Sequence, residues 1–415
     1  FDNDGDEDLI VSGLDVGGAV CKLYRNNDGI FEDYSHPFKG VVYGDIQFAD
    51  YDSDGDLDVF LCGAYYETNE SSDLIFKIYE NKGGAFDLVD HDIPGMVYAS
   101  MDFGDFDNDG DPDLLICGRS EDDEAVTRIY RNDNADFVLY ETSLTSVING
   151  DCKWADFNND GFLDILLSGI NNSNVYSEDC ITEIYYNYEG TFAKVMELDG
   201  FSKAQLALGD YNLDQNLDFL ITGDNKDRSY MDALLYKNST SVVNSVPDYP
   251  EILSVNPGPN SAIFSWTQAS DNETPVNGLT YNLRVGTTPG GSEVLSPLSM
   301  ENGTRQVVEI GNTQQNTTWV INDLDSTTTY YYSVQTIDNG KLASEFTSEK
   351  LFVYEPTNIH QKSLSNLSIY PNPTKGTFII DFKQAGNVVG FEITGITGSI
   401  LMSQRIKNQR IIIDI

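Results

Sequence analysis

Basic residues are scarce in this chain: 24 Lys and Arg stand against 67 Asp and Glu, a formal net charge of -43 over 415 residues. Nucleic acids and anionic membrane surfaces are bound by proteins that replace counterions with positive charge, so this balance excludes both as partners. No run of 18 apolar residues occurs, and no membrane span is written in the sequence. Five cysteines, sparse and odd in number, exclude a disulfide scaffold. Three histidines (His36, His91, His360) lie far apart, and no metalloprotease, nucleophile-elbow or phosphate-loop string is present.

Aromatic residues reach 12% and hydrophobic residues 40%, so the acid is organised on a folded scaffold rather than spread along a disordered chain. The length predicts two to four domains. Five segments align without gaps: FDNDGDEDLIVSG from Phe1, DYDSDGDLDVFLCG from Asp50, DFDNDGDPDLLICG from Asp105, DFNNDGFLDILLSG from Asp156 and DYNLDQNLDFLITG from Asp210. A second landmark follows each one: KLYRNNDGIF, KIYENKGGAF, RIYRNDNADF, EIYYNYEGTF and LLYKNST. Each unit reads as strand, Asp loop, strand, variable loop, strand, tight Asn/Gly turn, strand. Four short strands in a repeat of this length form the pattern of a β-propeller blade. The strand after each loop is an unbroken apolar run, as in Val59-Phe60-Leu61 or Ile165-Leu166-Leu167, which predicts burial on both faces.

The loops have the donor set of a hard cation. Calcium takes roughly six to eight oxygens in a flexible shell. In the second loop Asp50, Asp52, Asp54 and Asp58 offer side-chain oxygens, Asp56 a backbone carbonyl, and Gly55 the sharp turn. The third loop repeats this with Asp105, Asp107, Asp109, Asp111 and Asp113. The fourth has Asp156, Asn158, Asp160 and Asp164, with Phe162 at the carbonyl position. The fifth has Asp210, Asn212, Asp214 and Asp218, but Gln215 replaces the turn glycine, so weaker binding is expected there. The first retains Asp2, Asp4, Asp6 and Asp8. An EF-hand needs flanking helices and a bidentate Glu at its twelfth position, whereas these loops run straight into strands. A metal-free Asp/Asn/Gly turn would leave several carboxylates repelling one another at short range. Several structural calcium ions are therefore expected.

These residues resemble the FG-GAP/VCBS repeat family, over about residues 1 to 245. The resemblance implies a β-propeller in an extracellular adhesion protein or a secreted bacterial protein. The chain opens inside the first copy, so a strand upstream of Phe1 is expected. Asp loops and Asn/Gly turns share one face of such an array. The variable loops (Ala64–Asp73, Arg119–Ala125, Ile170–Asp179, Asp224–Met231) share the other, with Tyr65, Tyr66, Tyr176 and Tyr230 as candidate contacts for a glycan or protein. Cys62 and Cys117 stand where other copies have Ser12, Ser168 and Thr222, which reads as small buried side chains.

Ser239–Pro250 breaks the repeat as a linker. Residues 251–355 read as a sandwich and resemble a fibronectin type III domain, carried by Trp266 and by the Leu324…Thr328…Tyr330 spacing of a tyrosine corner. The stretch Gly286–Thr318 is long for that fold, so an insertion or extra strands are expected, and the domain's default role is a spacer. Residues 364–415 contain Ile369-Tyr370-Pro371-Asn372-Pro373, Gly376-Thr377-Phe378 and Gly398. They resemble the C-terminal sorting domain of type IX secretion cargo in Bacteroidetes, which implies contact with that machinery and an extracellular or outer-membrane-surface location. The expected fold is all-β: a partial propeller, a fibronectin-like sandwich and a small C-terminal sandwich. The expected function is a non-catalytic calcium-binding adhesion or ligand-binding module. The alternative is a portion of an extracellular polysaccharide-degrading enzyme whose active part lies upstream, since counting carboxylates does not exclude a glycosidase pair.

Overall fold

From the second copy onward each Asp-rich segment joins two antiparallel strands, because its apolar flanks have strand composition and its own Asp, Asn and Gly favour tight turns. The computed structural model describes residues 1–27, 29–66, 72–172, 174, 179–225 and 230–353 and five C-terminal strands; the side chains of Tyr66, Ser72, Tyr230 and the C-terminal strands lie outside this description. No α-helix occurs among the described residues.

The first sheet comprises β1 (Leu9–Asp15), β2 (Gly18–Asn27) and β3 (Ile30–Tyr34). The second comprises β4 (Val42–Ala49), β5 (Asp58–Tyr66), β6 (Ser72–Lys82) and β7 (Ala85–Val89). The third comprises β8 (Val97–Gly104), β9 (Asp113–Arg119), β10 (Ala125–Asn132) and β11 (Phe137–Tyr140). The fourth comprises β12 (Ile148–Ala155), β13 (Asp164–Ile170), β14 (Cys180–Tyr188) and β15 (Thr191–Leu198). The fifth has β16 (Phe201–Gly209), β17 (Asp218–Asn225) and β18 (Tyr230–Tyr236). Within each sheet the strands follow chain order and pair antiparallel, the order expected of a propeller blade. The four-strand pattern fails in the fifth copy. Elsewhere a phenylalanine five residues after the landmark asparagine opens the outer strand (Phe31, Phe86, Phe137, Phe192), whereas Val243 stands at that place after Asn238.

Neighbouring sheets stack through an apolar cluster at each of the four junctions, with a second, smaller one between the third and fourth sheets. All seven residues of β13 are buried, which bears out the expectation from its continuous apolar run. At the two ends of the array β1 and β17 are partly exposed, because each has a stacked neighbour on one face. The inner strands carry a repeated β-bulge, with Tyr43, Tyr98, Asn149 and Lys203 at φ of 52°, 53°, 52° and 49°. Beyond the bulge, polar side chains reach the next sheet. Asp45 Oδ2 accepts from Met101 N–H (2.9 Å), Ser100 Oγ donates to Asp151 Oδ1 (2.7 Å), and Asp151 Oδ2 accepts from Leu206 N–H (2.8 Å).

The sandwich has one sheet of β19 (Leu253–Pro257), β20 (Ala262–Trp266) and β22 (Thr318–Ile321). The other has β21 (Thr280–Gly286), β23 (Thr329–Ile337) and β24 (Lys350–Val353). Its tyrosine corner is present: Asp325 N–H donates to Tyr330 Oη (2.7 Å), which donates to the Asp325 carbonyl (3.2 Å). Repeats and sandwich form one compact unit, Phe1–Val353. The long stretch after β21 forms isolated bridges rather than further strands, and it lies against the Asp loops. A Cβ on Gly5 would come within 1.8 Å of the Val294 carbonyl oxygen, and one on Gly161 within 1.9 Å of that of Glu273.

Tyr354–Ile415 is a separate unit. It holds β25 (Leu367–Tyr370), β26 (Thr377–Phe382), β27 (Val389–Thr394), β28 (Ile400–Ile406) and β29 (Arg410–Asp414), arranged as a β25-β26-β29 sheet and a β27-β28 pair. Pro371, Asn372 and Pro373 lie outside the described residues.

Gly161 has φ of 84° and Gly55 φ of 90°, but Gly55 faces open space. Alanine at either position incurs backbone strain of about 1 to 3 kcal/mol. Only Gly161→Ala also drives a methyl into the sandwich, so limited proteolysis should cut the 239–250 linker faster in that variant than in Gly55→Ala.

Candidate functional site

The second to fifth loops each wrap around their first carboxylate. Asp50 accepts from the N–H groups of Asp54 (3.1 Å) and Gly55 (2.9 Å), and Asp105 from those of Asp109 (3.0 Å) and Gly110 (2.8 Å). Asp156 accepts from Asp160 (3.3 Å) and Gly161 (2.8 Å), and Asp210 from Asp214 (3.1 Å) and Gln215 (2.8 Å). Gln215 keeps the wrap by adopting φ of 68°, a conformation that glycine reaches without strain.

The last carboxylate of each loop is gripped by the landmark after the third strand. Asp8, Asp58, Asp113, Asp164 and Asp218 accept from the backbone N–H of Asn26, Asn81, Asn132, Asn187 and Asn238, at 2.7 to 2.9 Å. The side chains of the last four asparagines then donate to a carbonyl in the preceding loop. These are Asn81 to Phe1 (2.6 Å), Asn132 to Tyr51 (2.7 Å), Asn187 to Phe106 (2.8 Å) and Asn238 to Phe157 (2.8 Å). One asparagine per repeat thus fixes its own loop and clamps it to the one before. The sequence reading took these residues as turn formers; the signal was their constant place two residues after a tyrosine.

Two carboxylate groups converge. Oxygens of Asp50, Asp52 and Asp58 lie within 4.8 Å of one another, as do those of Asp105, Asp107 and Asp109. Asp54 and Asp113 stand outside these groups. Asp107 Oδ1 is buried without a hydrogen-bond partner, and the nearby Arg131 guanidinium offsets part of the burial penalty on its carboxyl. Asp56 and Asp111, expected to give carbonyls, use their side chains to accept from Gly83 N–H (2.8 Å) and Asn134 N–H (2.9 Å). In the fourth loop Asn158 Oδ1 accepts from Asp160 N–H (3.0 Å), and Phe162 N–H donates to Asp160 Oδ1 (3.1 Å). In the fifth, Asn212 Nδ2 donates to Asp218 Oδ2 (2.9 Å).

Burial destabilises these charges, with neighbouring carboxylates adding to it. Asp50 and Asp156 are pushed up to about 7, Asp105 and Asp164 to about 8, and Asp58 and Asp113 to about 9. The end loops have a cation of their own. Arg25 meets Asp2 (2.6 Å), Asp4 (3.1 Å) and Asp323 of the sandwich (3.1 Å). Lys237 meets Asp214 (2.8 Å), holding that carboxyl below its ordinary value. The same landmark position is Glu80 beside the second loop and Tyr186 beside the fourth, and Arg131 beside the third pairs with Asp133 (2.6 Å).

The sandwich covers this face. Asn316 Nδ2 donates to Asp50 Oδ2 (2.7 Å), and Asp50 N–H to Gln314 Oε1 (3.2 Å). Asn339 Nδ2 bridges Asn108 Oδ1 (3.0 Å) and the Gly161 carbonyl (2.9 Å). Loops are also joined to one another: Asn3 donates to the Gly55 carbonyl (2.9 Å), Asn108 to that of Gly161 (3.2 Å), and Asn159 to Asn216 Oδ1 (3.0 Å). On the opposite face Lys39 Nζ lies 4.5 Å from the Tyr65 ring centroid, and Tyr43 and Tyr98 rings stand 5.3 Å apart with Arg119 5.3 Å from the Tyr98 ring. Tyr176 and the side chains of Tyr66 and Tyr230 lie outside the described residues. All five cysteines are buried and unbridged.

An FG-GAP-like repeat family model matches residues 1–61, 50–116 and 105–167, the loops and sheets just described. The chain carries FG-GAP-like repeats. The fifth copy lies beyond the matched residues but repeats the strand order and loop wrap of an FG-GAP unit. Residues 368–415 match the secretion system C-terminal sorting domain, which marks the chain as type IX cargo of Bacteroidetes type, secreted or attached at the outer membrane. No described helix is long and apolar enough to cross a membrane. Among solved structures, an endo-arabinase from Bacteroides thetaiotaomicron is 11% identical, with 57% of this chain and 94% of that one covered and a TM-score of 0.32. The FN1-FN3 domains of chicken CNTN1 are 10% identical, with coverage of 64% and 87% and a TM-score of 0.23. Neither likeness bears on what this chain binds or does. No curated protein matches.

Replacing Asn187 by Ala removes bonds to the Phe106, Leu163 and Gly190 backbone from a buried site. The cost should be about 2 to 3 kcal/mol, against about 0.5 kcal/mol or less for exposed Asn27→Ala, measured by urea unfolding of the first unit.

Proposed function

We propose that the repeats bind structural calcium and form the rigid scaffold of a secreted, non-catalytic ligand-binding or adhesion module. The carrying observation is the convergence of Asp50, Asp52 and Asp58, and of Asp105, Asp107 and Asp109, in sites where burial penalises their charges. An all-oxygen donor set on a flexible loop suits calcium over zinc or copper. When bound, the ion would neutralise these carboxylates and tie the loop ends together. In the second loop Asp50, Asp52, Asp54 and Asp58 would hold it, in the third Asp105, Asp107, Asp109 and Asp113, and in the fourth Asp156, Asn158, Asp160 and Asp164. The first and fifth loops, neutralised by Arg25 and Lys237, would bind weakly.

With the Asp-loop face covered by the sandwich, the opposite face is left for recognition. Its variable loops and the Tyr43–Tyr98–Arg119 group offer aromatic and polar contacts to a glycan or protein. The regular carboxylates are engaged by the N–H groups of the loop backbone, which supports a binding role over a catalytic one. Glycan-array and whole-cell binding should be calcium-dependent and fall in Tyr43→Ala; turnover of a polysaccharide by this chain would overturn the non-catalytic reading.

Calcium titration should find about three ions, and each site held at 100 times its Kd adds about 2.7 kcal/mol to stability. The raised carboxylates are partly protonated at pH 7 in the metal-free chain, so calcium binding should release protons, seen as a buffer-dependent calorimetric enthalpy. The sign of the stability profile follows. In chelator, carboxyls with raised folded-state values favour the folded form at low pH and lose that contribution as pH rises from the ordinary carboxylate range through 7 to 9. In calcium, affinity grows over the same range. The two melting curves should therefore diverge as pH rises from 6 to 9, and coincident curves would remove the calcium reading.

A further inference from the structure

Among the described residues, the second loop is the one whose first carboxylate receives a side chain of the sandwich. Asp50 Oδ2 accepts from the Gly55 N–H (2.9 Å) and from Asn316 Nδ2 (2.7 Å), while Oδ1 accepts from the Asp54 N–H (3.1 Å). The backbone N–H of Asp50 donates to Gln314 Oε1 (3.2 Å). Three donors on two oxygens fix the plane of this carboxylate. It is held with an oxygen within 4.8 Å of those of Asp52 and Asp58. At the other loops the sandwich meets different groups. Asn277 reaches the Asp109 carbonyl (3.4 Å), Asn339 the Asn108 amide and the Gly161 carbonyl, and Asn322 the Asp2 carbonyl (3.1 Å).

The turn that carries Gln314 and Asn316 is itself fixed on β21. Tyr281 N–H donates to the Gln314 carbonyl (2.9 Å), Thr313 N–H to the Tyr281 carbonyl (3.1 Å) and Asn316 N–H to the Thr313 carbonyl (3.1 Å). Gln314 is buried and adopts φ of 50°, a left-handed conformation that costs a residue other than glycine some strain. A turn tied down in this way can hold a neighbouring carboxylate in one orientation.

We propose that Asn316 is a positioning residue for calcium in the second loop, and that calcium binding and the seating of the sandwich are linked through it. The inference rests on the calcium reading of the loops. A partner that orients a ligating carboxylate is worth roughly 10- to 100-fold in metal affinity. The effect is reciprocal: whatever affinity the docked sandwich lends to the site, an occupied site returns as docking. The third loop supplies an internal contrast. Among the described residues Asp105 accepts from backbone alone, the N–H groups of Asp109 and Gly110, so its affinity should be indifferent to Asn316.

The test is calorimetric titration of the whole chain with calcium, as wild type, Asn316→Ala, Asp58→Asn and the double variant. Asn316→Ala should weaken one site by roughly 10- to 100-fold and leave the others unchanged. Asp58→Asn should weaken that same site, and adding Asn316→Ala to it should change calcium binding no further. Hydrogen exchange gives a second readout that needs no variant at Asn316. Calcium should slow exchange in the 311–317 turn of the wild type, and Asp58→Asn should remove that response. Unchanged affinities, tighter binding, or uniform weakening of every site in Asn316→Ala overturns the inference and leaves the calcium reading in place. A wild-type turn whose exchange ignores bound calcium does the same. Absence of any calcium binding to the wild type overturns both.

Discussion

A carboxylate withdrawn from water needs donors or a cation, and this molecule is organised around meeting that need several times over. Each loop packs its first and last acids under the strands that flank it. Backbone N–H groups satisfy part of the demand, as at Asp50 and Asp58. The remainder falls to an ion or to a side chain such as Arg25. Sheet stacking depends on this arrangement, because the asparagine that donates to the last acid also reaches the preceding loop. Disturbing a loop therefore loosens the junction on either side of it.

The same constraint explains the position of the sandwich. A face lined with carboxylates and outward-pointing carbonyls is a poor surface for an apolar neighbour but a good one for amides. Gln314, Asn316, Asn322 and Asn339 supply these. All four lie in the connections between the sandwich strands. The long stretch after β21 is a docking element, so the domain does more than space its neighbours.

Strand order, the alignment of the loops and the burial of the middle strands were legible in the sequence because they depend on local pattern: turn residues between short apolar runs. The tyrosine corner was legible for the same reason. The asparagine clamp was not, since its partner carbonyl lies about 80 residues away and a backbone acceptor leaves no mark on residue choice. The self-neutralised end loops were hidden in one variable position, Arg25 against Glu80 and Tyr186, whose meaning needs the distance to the acids. The bonds from Asp45 and Asp151 into the next sheet depend on a bulge that shifts register, and no residue in the bulge is constant. The docking of the sandwich was invisible because amides are common in loops of every kind.

The loop-to-loop relay has one gap. Asn3, Asn108 and Asn159 each hand a hydrogen bond to the following loop, but the second loop has Ser53 at that place, too short to reach across. Between the second and third loops the loop face is joined instead by the Asn132 clamp, the stack of Tyr51 on Phe137 and the sandwich. The cover domain, seated over both, acts there as a splint.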